Sequence, residues 1–145
     1  MTADPSLVLA DWLAARLRQS ALFGAEVHID EPPAEQDPPV PAVEYRLGDA
    51  DWEEPLPGED WSNVRVLTPV LTLRVGAAPD TLRSNLLAAE RELWRLLLSR
   101  DLAPERPVGM LSLSPGATAY GERDGNYAEA TVTVFARFHD DPTET

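Results

Sequence analysis

The acidic residues between positions 49 and 60 come closest to the types and spacing of a metal site. Asp49, Asp51 and Glu53 alternate in the way that oxygen ligands do at the start of a calcium-binding loop. Such a loop needs glycine at its sixth position and a bidentate glutamate at its twelfth. This sequence has Glu54 and Asp60 at those positions. We therefore predict a solvated acidic loop and no metal ion.

Other residues that do chemistry are too few or too scattered to form a recognisable site. The chain has no cysteine, and its two histidines, His28 and His139, have no neighbours at metal-ligand spacing. It has no G-x-S-x-G motif, and its glycines do not form a phosphate-binding pattern. We predict a protein that is not an enzyme and that binds no cofactor. The alternative is a hidden enzyme, which requires a concave pocket with convergent, perturbed acids.

The net charge of −13 is concentrated in one part of the chain. Residues 26–60 contain twelve acidic residues and one arginine, a net charge of −11, so the other 110 residues are nearly balanced. Nucleic-acid binding requires clusters of Lys and Arg that replace counterions on the phosphates. The chain has no lysine, and its twelve basic residues are all arginine. This charge distribution disfavours specific DNA binding.

The apolar pattern disfavours membrane and secretion roles. The longest apolar runs, such as residues 7–10 and 86–89, are far shorter than the roughly 20 residues of a membrane span. No basic stretch precedes an apolar stretch at the N-terminus, so we expect no signal peptide. We predict no membrane partner.

The first half of the sequence predicts one helix and two strands. Asp4 and Pro5 are typical of a helix start, and a helix over about 5–21 places Leu9, Trp12, Leu13 and Leu17 on one stripe, with Arg16 largely off it. Alternating apolar residues predict strands over 25–30 and 42–47, which we interpret as a hairpin-like pair. Two acidic loops are predicted, a proline-rich loop at about 31–41 and a longer loop at about 48–62.

The second half predicts a long strand, a long helix and two further strands. The strand over 63–76 changes its apolar phase at Pro69, which indicates a bent or bulged strand there. The helix begins at Pro79-Asp80-Thr81, runs to about Asp101 and carries leucines at three- and four-residue steps. A strand over 107–114 precedes a turn region, 115–126, and alternation over 127–139 predicts the last strand. Residues 140–145 are expected to fray.

These elements predict one α+β domain over residues 1–145, with the order α-β-β-β-α-β-β. Both helices must bury a leucine stripe, and the sheet must bury one face. A two-layer sandwich, with both helices on one face of a mostly antiparallel sheet, satisfies both requirements.

Three aromatic residues are candidate contact residues. Trp52 and Trp61 lie in the predicted acidic loop, and Phe135 lies on the more polar face of the last strand. Tryptophan is enriched at interface hot spots. The two tryptophans either pack against their own domain or anchor a partner. Phe135 either lies under a loop or contacts a neighbouring subunit.

The order of elements resembles the tail terminator (tail completion, or minor tail) proteins of long-tailed bacteriophages and phage-like particles. The resemblance lies in the first helix with Leu9 and Trp12, the strand pair separated by proline-rich sequence, and the long strand over 64–75. It continues in the turn over 78–80, which leads into a leucine-rich helix, and in the last strand. It covers most of the chain but contains no sharp motif. The long acidic loop with its two tryptophans departs from the family.

The resemblance implies a structural virion protein that forms a hexameric ring at the head-proximal end of the tail. Such a ring would contact the tail tube protein and the head connector or neck protein, and it would be assembled in the host cytoplasm. DNA would pass through without specific binding. Our hypothesis is that several acids face the lumen and repel the DNA phosphates. The candidates are Asp49, Asp51, Glu53, Glu54, Glu59 and Asp60.

Two other functions remain open at this point. A neck or head–tail joining protein of the same particle can share a similar fold, and the sequence does not separate it from a terminator. A stand-alone acidic adaptor or inhibitor would instead be a stable monomer whose acidic loops bind a basic partner.

Overall fold

A computed structural model describes residues 4–23, 26–30, 41–76, 80–124 and 127–143. These residues form two helices and five strands in the predicted α+β order. The helices are α1 (Pro5–Leu17) and α2 (Leu82–Leu98). The strands are β1 (Val27–Ile29), β2 (Ala42–Trp52), β3 (Val64–Gly76), β4 (Met110–Asp124) and β5 (Tyr127–His139).

The five strands form one mostly antiparallel sheet in the order β1-β2-β3-β5-β4. The prediction of a hairpin-like β1–β2 pair is wrong, because β1 pairs with β2 in parallel, with Val27 opposite Val43. Alternating side chains indicate which face of a strand is buried, but they carry no information on strand direction. The predicted loop at 31–41 that separates these strands lies outside the described residues, except for Pro41.

Both helices pack on the same face of the sheet, as predicted. The four stripe residues of α1 are buried in one core with Leu86, Ala89, Leu93, Leu96 and Leu97 of α2. The sheet contributes the alternating residues of β5 from Ala128 to Phe138 and the odd-numbered residues of β3 from Leu67 to Val75. The opposite face of the sheet, which we call the open face, has no helix of the described residues against it.

The helix ends follow local hydrogen bonds. The Asp4 side chain accepts a hydrogen bond from the Ser6 backbone N–H at 2.8 Å and caps α1. Hydrogen bonds from Ser6 to this carboxylate lower the pKa of Asp4. α1 ends at Leu17, four residues before the predicted end, and α2 ends at Leu98 rather than near Asp101. Pro79, which is part of the predicted start of α2, lies outside the described residues.

Arg16 is buried, although the helical stripe placed it away from the core. Its side chain is 1% exposed and donates hydrogen bonds to the carbonyl oxygens of Leu96, Ser99 and Pro104 at 2.8–2.9 Å. The guanidinium thereby donates to carbonyl oxygens at and after the end of α2, which have no N–H partner within the helix. Desolvation lowers the pKa of Arg16. This contact joins α1 to the chain that follows α2.

The irregularities of the sheet differ from those predicted. The buried residues of β3 keep one phase from Leu67 to Val75 and include Pro69, so the predicted bulge at Pro69 is wrong. The bulge lies in β2, between Leu47 and Asp49, directly beside Pro69. A proline without an N–H donor fits a place where the ladder is already interrupted.

The predicted turn region at 115–126 is also wrong over most of its length. Residues 115–124 continue β4, and only residues 125–126, which lie outside the described residues, separate it from β5. Pro115 and Gly116 are tolerated because β4 is an edge strand with register shifts at three places. At the other end of β5, the Asp140 backbone N–H still bonds to the Asn63 carbonyl at 2.8 Å.

Candidate interaction site

Gly48 forms the bulge of β2, and the acidic and aromatic residues that follow it are exposed. A Cβ at this position would lie 2.6 Å from the backbone oxygen of Thr68, so glycine alone fits the bulge. After the bulge, Asp49 pairs with Thr68 and Asp51 pairs with Val66. Paired residues share one face of a sheet, which places both aspartates on the open face. The predicted loop at 48–62 is therefore wrong for residues 48–52, which belong to β2.

The connection between β2 and β3 turns sharply at Gly58. This glycine has φ +90°, and the Glu59 backbone N–H bonds to the Leu56 carbonyl at 3.0 Å. The Ser62 hydroxyl then accepts a hydrogen bond from the Val64 N–H at 3.0 Å and starts β3. We call residues 49–61, the end of β2 and this connection, the acidic tip. It contains all six proposed lumen-facing acids and both candidate tryptophans.

The two tryptophans pack against each other rather than into the core. Their rings form an edge-to-face pair with centroids 5.6 Å apart and planes at 90°. The guanidinium of Arg65, which is opposite Trp52 in the sheet, lies 4.7 Å from the centre of the Trp52 ring. Trp52 is still 41% exposed and Trp61 39% exposed. The pair is thus preassembled and keeps a large apolar surface in solvent.

Glu53 differs from the other five acids because it is paired. Its carboxylate accepts two hydrogen bonds from Arg137 of β5, at 2.9 and 3.1 Å, and they raise the pKa of Arg137. The Glu53 backbone N–H also bonds to the Val64 carbonyl at 3.0 Å. Both side chains are 41% exposed, so the pair orients the acidic tip more than it stabilises the fold.

The remaining acids of the tip are exposed: Asp49, Asp51, Glu54, Glu59 and Asp60. Among the described residues, no group of three or more histidine or acidic side chains has the arrangement of a metal site. Of the calcium-like triplet, Asp49 and Asp51 lie in β2, whereas Glu53 follows the strand and is paired with Arg137. The tip thus combines five exposed acids with two half-exposed tryptophan rings, and Asp49 and Asp51 lie on the opposite face of the strand from Trp52. Such a surface suits contact with a cationic protein surface.

Phe135 is not part of the acidic tip. It lies on the open face opposite Ser114 of β4 and is 43% exposed. Its ring borders Gly116, where a Cβ would lie 2.9 Å from the Phe135 Cε2 atom. Trp52 pairs with Arg65 and therefore shares its face of the sheet. Arg65 points away from the open face, because successive residues alternate and its neighbour Val66 lies on the open face. Trp52 and Phe135 thus lie on opposite faces. The three predicted aromatic residues do not form one patch.

Charged residues also cross the other end of the open face. Arg74 of β3 contacts Glu129 of β5 at 2.8 Å and Glu44 of β2 at 3.4 Å. These contacts tie three strands together across the face. His28 lies 3.1 Å from Glu26 at the β1 edge.

An apolar groove lies between α2 and Tyr120 of β4. It has a volume of about 690 Å³ and is lined by Leu82, Arg83, Leu86, Leu87 and Tyr120. The Tyr120 hydroxyl donates to Glu90 at 2.5 Å, which raises the pKa of Tyr120. The lining brings no acids together, so the groove lacks the convergent carboxylates that the hidden-enzyme alternative requires. That the protein is not an enzyme stays a prediction.

No family model matches this sequence, and no curated protein matches it. Neither described helix has the length and apolar character needed to cross a membrane.

Proposed function

We propose that the chain is a structural protein of a phage or phage-like particle, a tail terminator that caps the tail tube. It would end tube polymerisation and dock to the head connector. The observation that carries this proposal is the element order, with α1 and α2 on one face of a five-stranded sheet. The resemblance to the tail terminators rests on this order of elements. One fold can serve several functions, so the surface of the chain is the second line of support.

The surface fits a protein that works through contacts. The Trp52–Trp61 pair is exposed and preassembled, and tryptophan is a frequent interface anchor. Exposed acids beside it would repel DNA phosphates if they faced the lumen of a ring. In this proposal the partners are further copies of the chain in a hexamer, the tail tube protein and a connector or neck protein. The location is the head-proximal end of the tail.

Single-particle imaging tests the proposal. Mass photometry and negative-stain images of the purified chain should show a six-fold ring, alone or on one end of tail tubes. A bore lined by neutral or basic residues would contradict the role of the acids. Binding to the portal side, with no binding to tubes, would favour the neck protein over the terminator.

A second candidate is a stand-alone acidic adaptor or inhibitor. Five exposed acids and two half-exposed tryptophans in one tip are a self-sufficient surface for a basic partner. This candidate requires no self-association. A chain that stays monomeric at high concentration, and that binds a basic protein through the tip, would support it.

A further inference from the structure

The outward side of α2 is basic and apolar. Eight of its seventeen residues are exposed, and the charged ones among them are all arginine: Arg83, Arg91 and Arg95. The two glutamates of α2 are half-buried. Glu90 accepts a hydrogen bond from Tyr120, and Glu92 accepts one from Ser20 and one from Arg95. Arg95 is therefore already paired with Glu92 at 2.6 Å, and the outward side of α2 keeps a net positive charge through Arg83 and Arg91.

Apolar residues run along the same side as these arginines. Leu87 is 51% exposed and Leu98 is 36% exposed. With Ala88, Arg91 and Arg95 they recur at three- and four-residue steps, and we call these five residues the α2 outer stripe. A shallow depression of about 820 Å³ is lined by all of them except Leu87, together with Glu92 and Trp94. A second apolar stripe on a helix that already buries one face is a contact surface.

The α2 outer stripe and the acidic tip are chemically complementary. The stripe has large apolar side chains beside two arginines one helical turn apart, and the tip has two tryptophans beside exposed carboxylates. Arginine pairs with carboxylates and also packs on aromatic rings. The tip already contains one such contact, since Arg65 lies over Trp52 at 4.7 Å.

We propose that the acidic tip of one copy docks on the α2 outer stripe of a second copy. The carboxylates of Glu54 and Asp60 face Arg91 and Arg95, while the tryptophan pair covers the exposed leucines. In this arrangement Glu54 and Asp60 lie in the contact and not in the lumen of the ring. The tip lies at one end of the sheet, and the stripe faces away from the sheet, so the two surfaces are distinct. Such a heterologous contact is head-to-tail and can close into a ring. The inference rests on the proposed self-association and names its interface.

Charge reversal tests the stripe. The double variant Arg91→Glu/Arg95→Glu should weaken self-association by about tenfold or more, because like charges would then face each other. The control is Arg18→Glu/Arg100→Glu, which makes the same charge change at exposed positions outside the stripe. Sedimentation velocity measures both, and thermal unfolding checks that each variant is folded. Arg91→Gln is a milder form with the same expected direction.

Rescue tests the pairing of the two surfaces. Glu54→Arg/Asp60→Arg alone should also weaken association, and all four substitutions in one chain should restore it. Failure of the four-substitution chain to associate, or association that survives reversal of the stripe, would overturn the inference. Either outcome leaves the proposed function standing if the wild-type chain still forms rings that cap tubes. A wild-type chain that neither self-associates nor caps tubes overturns both, and one whose tip binds only a basic partner protein overturns the inference.

Discussion

The two halves of β2 belong to one strand but differ in almost every physical respect. Before Gly48, Val43 and Tyr45 are each 1% exposed and pack under the helices. After Gly48, Asp49, Asp51 and Trp52 are exposed and charged or aromatic. Both halves pair with β3, so hydrogen bonding does not distinguish them. The first half specifies the fold, and the second half uses the same ladder to hold a contact surface in place.

The largest contrast should come from truncating one aromatic residue in each half. Tyr45→Ala removes a buried ring from the core and should lower the free energy of unfolding by about 3–5 kcal/mol. Trp52→Ala removes a half-exposed ring and should cost about 1 kcal/mol or less. Urea unfolding of both variants measures the difference. Equal losses would mean that the acidic tip is part of the folding core.

The bulge that separates the halves should tolerate no side chain. Gly48→Ala places a Cβ against the Thr68 carbonyl and should cost about 1–3 kcal/mol. Gly76→Ala is the matched control, because a Cβ there meets nothing within 4 Å. Thermal unfolding of the two variants is the measurement. A Gly48→Ala chain as stable as the control would show that the bulge can relax.

Tyr45 also predicts how the first half responds to pH. Among the described residues its buried hydroxyl has no hydrogen-bond partner, and burial raises its pKa to about 12. The unfolded chain loses this proton from about pH 10, whereas the folded chain keeps it. Stability should therefore fall between about pH 10 and 12. Tyr45→Phe should reduce this fall and gain about 1 kcal/mol at neutral pH, because no polar group is then buried unpaired.

The contact between the second half and β5 should have the smallest effect. Glu53→Gln removes the ion pair with Arg137 and should cost about 0–1 kcal/mol, since both partners are 41% exposed. Added salt should shrink the difference from wild type. Chemical unfolding at low and high salt measures it. A loss above about 2 kcal/mol would give this pair a structural role that its exposure does not support.

Much of the fold follows from local patterns in the sequence. The stripe over Leu9–Leu17 and the leucines of α2 predict both helices, and alternation predicts β5 and its buried face. The parallel direction of β1 and the extension of β4 through 115–124 depend on which strand lies alongside, and no local pattern carries that information. Val64 and Val66 led to the wrong prediction of a phase change at Pro69, because apolar residues are also common on the less buried face of a strand.

The sequence predicted which residues belong to the candidate site, but not how they are arranged. Composition located the acids and both tryptophans, but not their division between a strand, an ion pair and a turn. Gly48, just before the acids, is the residue in the sequence that marks the bulge. The reason that glycine is needed there is the closeness of the Thr68 carbonyl oxygen, which only the structure shows. Arg16 offered no signal, since its partners are backbone oxygens some 80 residues later in the chain.

The length of tail tubes assembled with and without the chain tests the central claim most directly. Electron microscopy of tubes grown from the tube protein of the same particle gives that distribution. The account predicts that the wild-type chain stops tube growth and appears as a ring on one end. The Trp52→Ala/Trp61→Ala chain, folded by thermal unfolding, should do so less well. Tubes of unchanged length, with a monomeric chain that remains in solution, would contradict the account.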